Sequence, residues 1–277
     1  MKISIGIDIG GSTTKAAAAD KKGNLIGTLQ VSADDPRTCT YGILGRILKQ
    51  CNLTLKDVDK IVLTGLGSTY FQEDIYGIPT VSVPELSAIG RGGLALSGLS
   101  QALVVSMGTG TAFVKASLTE YRHLGGSGIG GGTLCGLAAR FLGIHDVFTL
   151  SNLASQGDRT KADLRIGDLL DKDIPSLNSE LTASNFGKIK SSASAPDLAA
   201  ALFNMIYENI GVMAAFALSD DTTKDVALTG SLACLPQAET TLGVFNRMQD
   251  IFGIHFIIPP NAAFSTAIGA LLSENDS

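Results

Sequence analysis

Residues 6–15 read GIDIGGSTTK: a carboxylate, Asp8, near the end of an alternating run, then Gly10 and Gly11, the hydroxyls of Ser12, Thr13 and Thr14, and Lys15. A carboxylate can hold a hard divalent cation, directly or through water, while nearby hydroxyls and backbone amides take anionic oxygens. The grouping predicts a phosphate site with Mg²⁺ on Asp8. It follows neither the Walker A order, G-x-x-x-x-G-K-[ST], nor the dinucleotide pattern G-x-G-x-x-G. A solvated strand end is the plain alternative for Asp8, and Lys15 could simply cover the strand with its stem.

The stretch LVVSMGTGTAFVKA (residues 103–116) repeats the plan of GIDIGGSTTKAAAA: a strand, a turn of glycine and hydroxyl residues, a second strand. Two such units can face each other across a cleft and hold one polyphosphate from both sides. In GGSGIGGGTLCGLAARFLG, glycines 128 and 130–132 lead straight into a helical stretch. A helix start with bare amides binds anions, although the tract could also be only a flexible turn. Glu85, just after Pro84, stands where a helix begins; by itself that is helix electrostatics worth up to ~1 kcal/mol, which favours the ionised form.

The elements that carry these residues alternate between strand and helix. Strands are expected at 3–9, at two segments flanking the Lys22-Gly23-Asn24 turn, and at 60–65, 79–83, 101–106, 225–230 and 255–259. Helices are expected at 39–52, 85–97, 197–219 and 262–273, and the middle, 145–200, reads as helices with polar linkers. The small residues Ala262, Ala263, Ala267, Gly269 and Ala270 suit a final helix packed closely on the N-terminal half.

The chain has 277 residues, a net charge of −5 and no tryptophan. That length buries a real core, and the charge offers no basic surface for nucleic acid. Apolar runs read as too short for a bilayer and the start reads as a strand without a leader, so no membrane partner and a cytoplasmic location are expected. Cys39, Cys51, Cys135 and Cys234 form no C-x-x-C pair and read as reduced thiols; His123, His145 and His255 are too dispersed for zinc.

Taken together, these motifs resemble the actin-like, sugar-kinase and Hsp70 superfamily. Within it the chain is similar to the type II pantothenate kinases. The likeness runs through GIDIGGSTTK, VPELSAIGRGG, SMGTGTAFV, GGSGIGGGTLCGL, LASQGDRTKADLRIGDL, SELTASNFGKI, ALTGSLA and NAAFSTAIGALL, in family order. It implies an α/β fold of two ribonuclease-H-like lobes, 1–98 and 99–277, closing on ATP. It further implies ATP-dependent phosphorylation of pantothenate, Glu85 as the base, and nucleotide contacts from Gly10 to Lys15. Thr109, Gly110, Gly131, Gly132 and Thr133 would also hold ATP, with Thr109 near the substrate too, and Ser231 would lie beside the nucleoside. A homodimer is implied, with the 197–219 helix as contact.

Two positions depart from the family. His123 stands where it places an arginine against the pantothenate carboxylate; Arg122, its neighbour, is the cationic partner expected there if pantothenate is the substrate, and Val147 replaces an aromatic residue near the adenine. Guanidinium pairs bidentately with carboxylate and imidazole does not, so a neutral alcohol such as pantetheine is the alternative substrate. The opening also resembles activator ATPases of acyl-CoA dehydratases, but the cysteines that hold their iron–sulfur cluster lack counterparts in the VPELSAIG region. A sugar kinase, a repressor of the same superfamily and a non-catalytic nucleotide sensor or filament protein complete the alternatives.

Overall fold

The computed structural model describes residues 2–170, 178–189 and 192–273, so part of the predicted middle segment lies outside the described residues. The first half comprises β1 (Ile3–Ile9), β2 (Thr13–Asp20), β3 (Leu25–Ser32), α1 (Pro36–Gln50), β4 (Val58–Thr64), β5 (Thr80–Ser82) and α2 (Glu85–Ser97). Then come β6 (Gln101–Met107), β7 (Thr111–Ser117), β8 (Tyr121–Ser127), α3 (Gly131–Leu142) and α4 (Val147–Ala154). A two-stranded ribbon of β9 (Leu164–Arg165) and β10 (Thr182–Ser184) leads to α5 (Ala195–Ala217) and β11 (Asp225–Thr229). The chain closes with α6 (Pro236–Arg247), α7 (Gln249–Phe252), β12 (His255–Ile257) and α8 (Ser265–Ser273).

The strands build two five-stranded sheets, β3-β2-β1-β4-β5 and β8-β7-β6-β11-β12. In each, the first three strands are antiparallel neighbours and the last two join in parallel. The repeat expected from two glycine-hydroxyl turns is therefore a repeat of topology. Both halves form an antiparallel meander and then reach parallel strands by long crossovers, which parallel pairing requires; all but the β4–β5 connection carry an α-helix.

Ile3, Ile5, Ile7 and Ile9 of β1 pack with Ile43, Leu44, Ile47 and Leu48 of α1 on one face of the first sheet. Asp35 starts α1 by accepting the Thr38 N–H at 2.7 Å, and Pro36 fits the first turn, so the helix begins three residues before its predicted start. On the second sheet one face carries α3 to α6, with Leu103, Val105, Phe203, Tyr207 and Phe245 in a common core. Its other face, through Val104, Val114 and Ala116, meets Ile89 and Leu94 of α2.

Between the sheets lie α2 and α8. Their backbones touch, because a Cβ on Gly92 would overlap the Ser265 carbonyl and one on Gly269 the Ala88 carbonyl. Gly6 of β1 lets α8 approach in the same way at Ala267. The final helix thus packs onto the N-terminal sheet as its small residues predict. The ribbon and α6 were not expected, although Ala238, Leu242 and Phe245 of α6 are buried at helical spacing. One expectation fails: α5 is long and apolar enough to cross a bilayer by length and composition. Its Leu202, Phe203, Ile206, Tyr207 and Ile210 nevertheless face the protein core.

Candidate active site

The two glycine turns join equivalent strands, β1 to β2 and β6 to β7, and their tips meet. The Ser12 and Thr109 hydroxyls lie 2.7 Å apart. Each turn is tightened by a backbone bond, Gly10 N–H to Thr13 O at 3.1 Å and Gly108 N–H to Gly110 O at 2.9 Å. Gly11, Ser12 and Thr109 are exposed at these tips.

Asp8 pairs with Lys15 across β1 and β2, so both side chains stand on the same face of the sheet. Gly6 shares that face, toward α8, opposite the isoleucines packed on α1. Burial pushes the Asp8 carboxyl up to about 6; Lys15 opposes the shift and Glu85 adds to it. Burial likewise lowers the Lys15 ammonium, against the pull of Asp8. Glu85 opens α2, and burial raises its carboxyl. That direction is opposite to the one expected for a carboxylate at a helix start, and its cause is desolvation. Asp8, Lys15 and Glu85 thus form one electrostatic group beside the paired loops.

Gly65 closes β4 at φ 83°, and a Cβ there would lie 2.8 Å from Asp8 Oδ1 and 2.7 Å from Ile9 O. In the second half Gly230 follows β11 at φ 90°, against the Met107 backbone. Both end the same tripeptide, Leu-Thr-Gly, at 63–65 and 228–230. Sequence reasoning missed this second internal repeat, although the tripeptide itself was the available signal. It places Ser231 at the start of a 3₁₀ turn, Ser231–Cys234, where its hydroxyl reaches Gln30 Oε1 at 3.4 Å.

Three sequence expectations change. The Thr14 hydroxyl is buried without a partner, opposite Ile9 and so on the α1 face; it does not point at the loops. The first amides of α3 are not bare: Gly131 N–H donates to Gly108 O and Gly132 N–H to Thr109 O, both at 2.8 Å. The glycine tract therefore buttresses the second loop, and Thr133 donates to Gly128 O at 2.6 Å within it.

Third, Arg122, expected at the substrate carboxylate, faces away from α2, whereas His123 faces it. A bulge between Phe113 and Val114 shifts the β7–β8 register, pairing His123 with Val114 and Arg122 with Lys115. His123 therefore shares the α2 face with Tyr121, whose ring lies against Gly90 with the Arg91 guanidinium 5.4 Å away. Arg122 faces the other way, beside the Lys115–Asp221 ion pair.

Duplicated sheets with two facing hairpins give the fold of the actin-like class, and the solved structures of like fold agree. The activator of 2-hydroxyisocaproyl-CoA dehydratase from Clostridium difficile, with bound ADPNP, aligns with a TM-score of 0.69 at 15% identity, over 99% of this chain and 98% of that one. A ROK family glucokinase from Streptomyces griseus, in complex with glucose and AMPPNP, gives 0.61 at 13% identity, over 99% and 100%. More specifically, the Fumble family model matches residues 99–255, and the chain belongs to that family. The type II pantothenate kinase of Oceanobacillus iheyensis is 29% identical over 278 residues, covering 98% of this chain and 99% of the relative. That of Staphylococcus aureus strain bovine RF122 is 28% identical over 269 residues, covering 92% and 98%.

Proposed function

We propose that this chain is a kinase that transfers phosphate from ATP to pantothenate, giving 4′-phosphopantothenate, the first committed step toward coenzyme A. The observation that carries this reading is the near full-length similarity to type II pantothenate kinases in a chain whose two phosphate turns meet tip to tip.

The lobes are taken as 1–98 and 99–277. ATP would lie between them, its phosphates against the amides and hydroxyls of Gly10, Gly11, Ser12, Thr13, Thr109 and Gly110, with Lys15 near. Gly131, Gly132 and Thr133 would support that contact, and Ser231 would lie at the nucleoside. One half-buried carboxylate beside the paired loops, Asp8, suits Mg²⁺, which usually binds through one or two carboxylates, waters and substrate phosphates. When bound, Mg²⁺ supplies charge neutralisation on the phosphates. Glu85 would accept the proton of the substrate hydroxyl as its oxygen attacks the terminal phosphorus and the bond from that phosphorus to the ADP oxygen breaks, releasing ADP; half-burial makes it a better acceptor than an exposed glutamate. We place the enzyme in the cytoplasm as a homodimer; most of α5 being buried, only outward residues such as Phe216 are left for a contact.

One observation favours a second substrate. The cleft side of β8 offers His123 and not Arg122, so a neutral-ended alcohol such as pantetheine would lose less there than a carboxylate would. Incubation with ATP, Mg²⁺ and either pantothenate, pantetheine or a panel of sugars, with products read by mass, tests both readings. Phosphorylation of a sugar alone would overturn them.

A further inference from the structure

A row of polar side chains crosses the first sheet on the face that carries Asp8. Thr64 pairs with Asp8, Asp8 with Lys15, and Lys15 with Gln30, so all four share one side. The far end of this row lies under the 3₁₀ turn of the other half. Gln30 Oε1 accepts from the Ser231 hydroxyl at 3.4 Å, and Lys15 and Cys234 interact electrostatically. Gln30 is half-buried and Ser231 likewise, so the pair remains accessible between the two halves that its bond joins.

A serine hydroxyl has one proton and two acceptor lone pairs. With the proton given to Gln30, what Ser231 offers the cleft is an acceptor only. A sugar hydroxyl, itself a donor, fits that acceptor; a deoxy carbon does not, and would leave the oxygen unsatisfied.

We propose that Gln30 is a positioning residue for the nucleotide sugar. It fixes the Ser231 proton toward the first half and so presents the Ser231 oxygen to a ribose hydroxyl. Because the bond joins the two halves, sugar recognition is tied to their approach. This rests on ATP binding in the cleft as described above.

The test compares kcat/KM for ATP, 2′-deoxy-ATP and 3′-deoxy-ATP. The wild type should prefer ATP over at least one deoxy analogue by roughly three- to tenfold, the range of one hydrogen bond. Gln30→Ala should raise the KM for ATP with kcat little changed and should bring that preference to within about twofold of unity. Gln30→Glu keeps an acceptor at the same reach and should retain the preference. Adding Ser231→Ala to Gln30→Ala should cost nothing further. Should Gln30→Ala fail to fold, Gln30→Met, similar in length and without a hydrogen-bonding group, carries the same comparison. Equal use of the three nucleotides by the wild type, an unchanged preference in Gln30→Ala, or additive losses in the double variant would overturn the proposal. If no acceptor is phosphorylated at all, the kinase reading fails by itself, and binding of the same three nucleotides by calorimetry decides the role of Gln30.

Discussion

Ser12 and Thr109, separated by 97 residues, bring their hydroxyl oxygens to 2.7 Å. Each lies at the tip of a hairpin, and the hairpins occupy the same place in two sheets of the same strand order. In the proposed reaction a polyphosphate entering between them would replace this single bond with contacts from both sides. Thr109→Ala should weaken a non-hydrolysable ATP analogue by about ten- to a hundredfold, the range for a hydrogen bond to a charged group. Calorimetric titration measures this, and unchanged affinity would place the phosphates elsewhere.

The acid side of the rate profile should report the Asp8–Glu85 pair. Burial raises both carboxyls, Asp8 to about 6, and the proposed reaction uses both in the ionised form. kcat/KM should therefore fall as pH drops through about 6, in a limb that belongs to the pair and not to one residue. An activity plateau extending down to pH 4.5, roughly the ordinary carboxylate range, would contradict this.

The same shift has a sign for stability. A carboxyl whose folded pKa is raised binds its proton more tightly in the folded chain. Its contribution is therefore fully present below the ordinary 3.8 and is lost as pH rises toward about 6. Asp8→Asn should flatten the change in melting temperature across that window relative to the wild type. Parallel curves for the two proteins would show that Asp8 is not the group responsible.

The contact between α2 and α8 carries Glu85 on one helix and holds the two sheets together. Gly269→Ala would drive a methyl group into the Ala88 carbonyl. Such overpacking costs typically about 1–3 kcal/mol, and a backbone obstacle yields less readily than a side chain. Denaturant unfolding should show a lowered midpoint, whereas an unchanged one would mean that the helices separate freely.

Substrate choice should respond to His123 and not to Arg122. His123→Arg should shift the ratio of specificity constants toward pantothenate over pantetheine by roughly tenfold or more, as a charged hydrogen bond allows. Arg122→Ala, on the far face of β8, should leave the ratio within about twofold, since it removes no contact in the cleft. Kinetics with both substrates decide it, and a large effect from Arg122→Ala would mean that the β7–β8 register differs.

Much of this was legible because the signals were local. The four isoleucines of β1 mark a strand, Pro84-Glu85 marks the start of α2, and the two glycine-hydroxyl turns mark matching halves. What escaped depends on register or on distant partners. One extra residue in β8 decides whether Arg122 or His123 faces α2, and such a bulge leaves no mark in composition. The amides of Gly131 and Gly132 look bare in sequence because their acceptors, Gly108 and Thr109, lie more than twenty positions away. Gln30 carries no motif, and only the fold sets it against Ser231.

The rate of phosphate transfer from ATP to pantothenate, measured side by side for the wild type and Glu85→Gln, decides whether this chain is a pantothenate kinase with Glu85 as its base. The wild type should yield singly phosphorylated pantothenate. Glu85→Gln, which keeps the shape and removes the base, should still bind nucleotide while turnover falls on the order of a hundredfold or more. No product from the wild type, or near-normal turnover in Glu85→Gln, would contradict the account, the second by returning Glu85 to the electrostatics of a helix start.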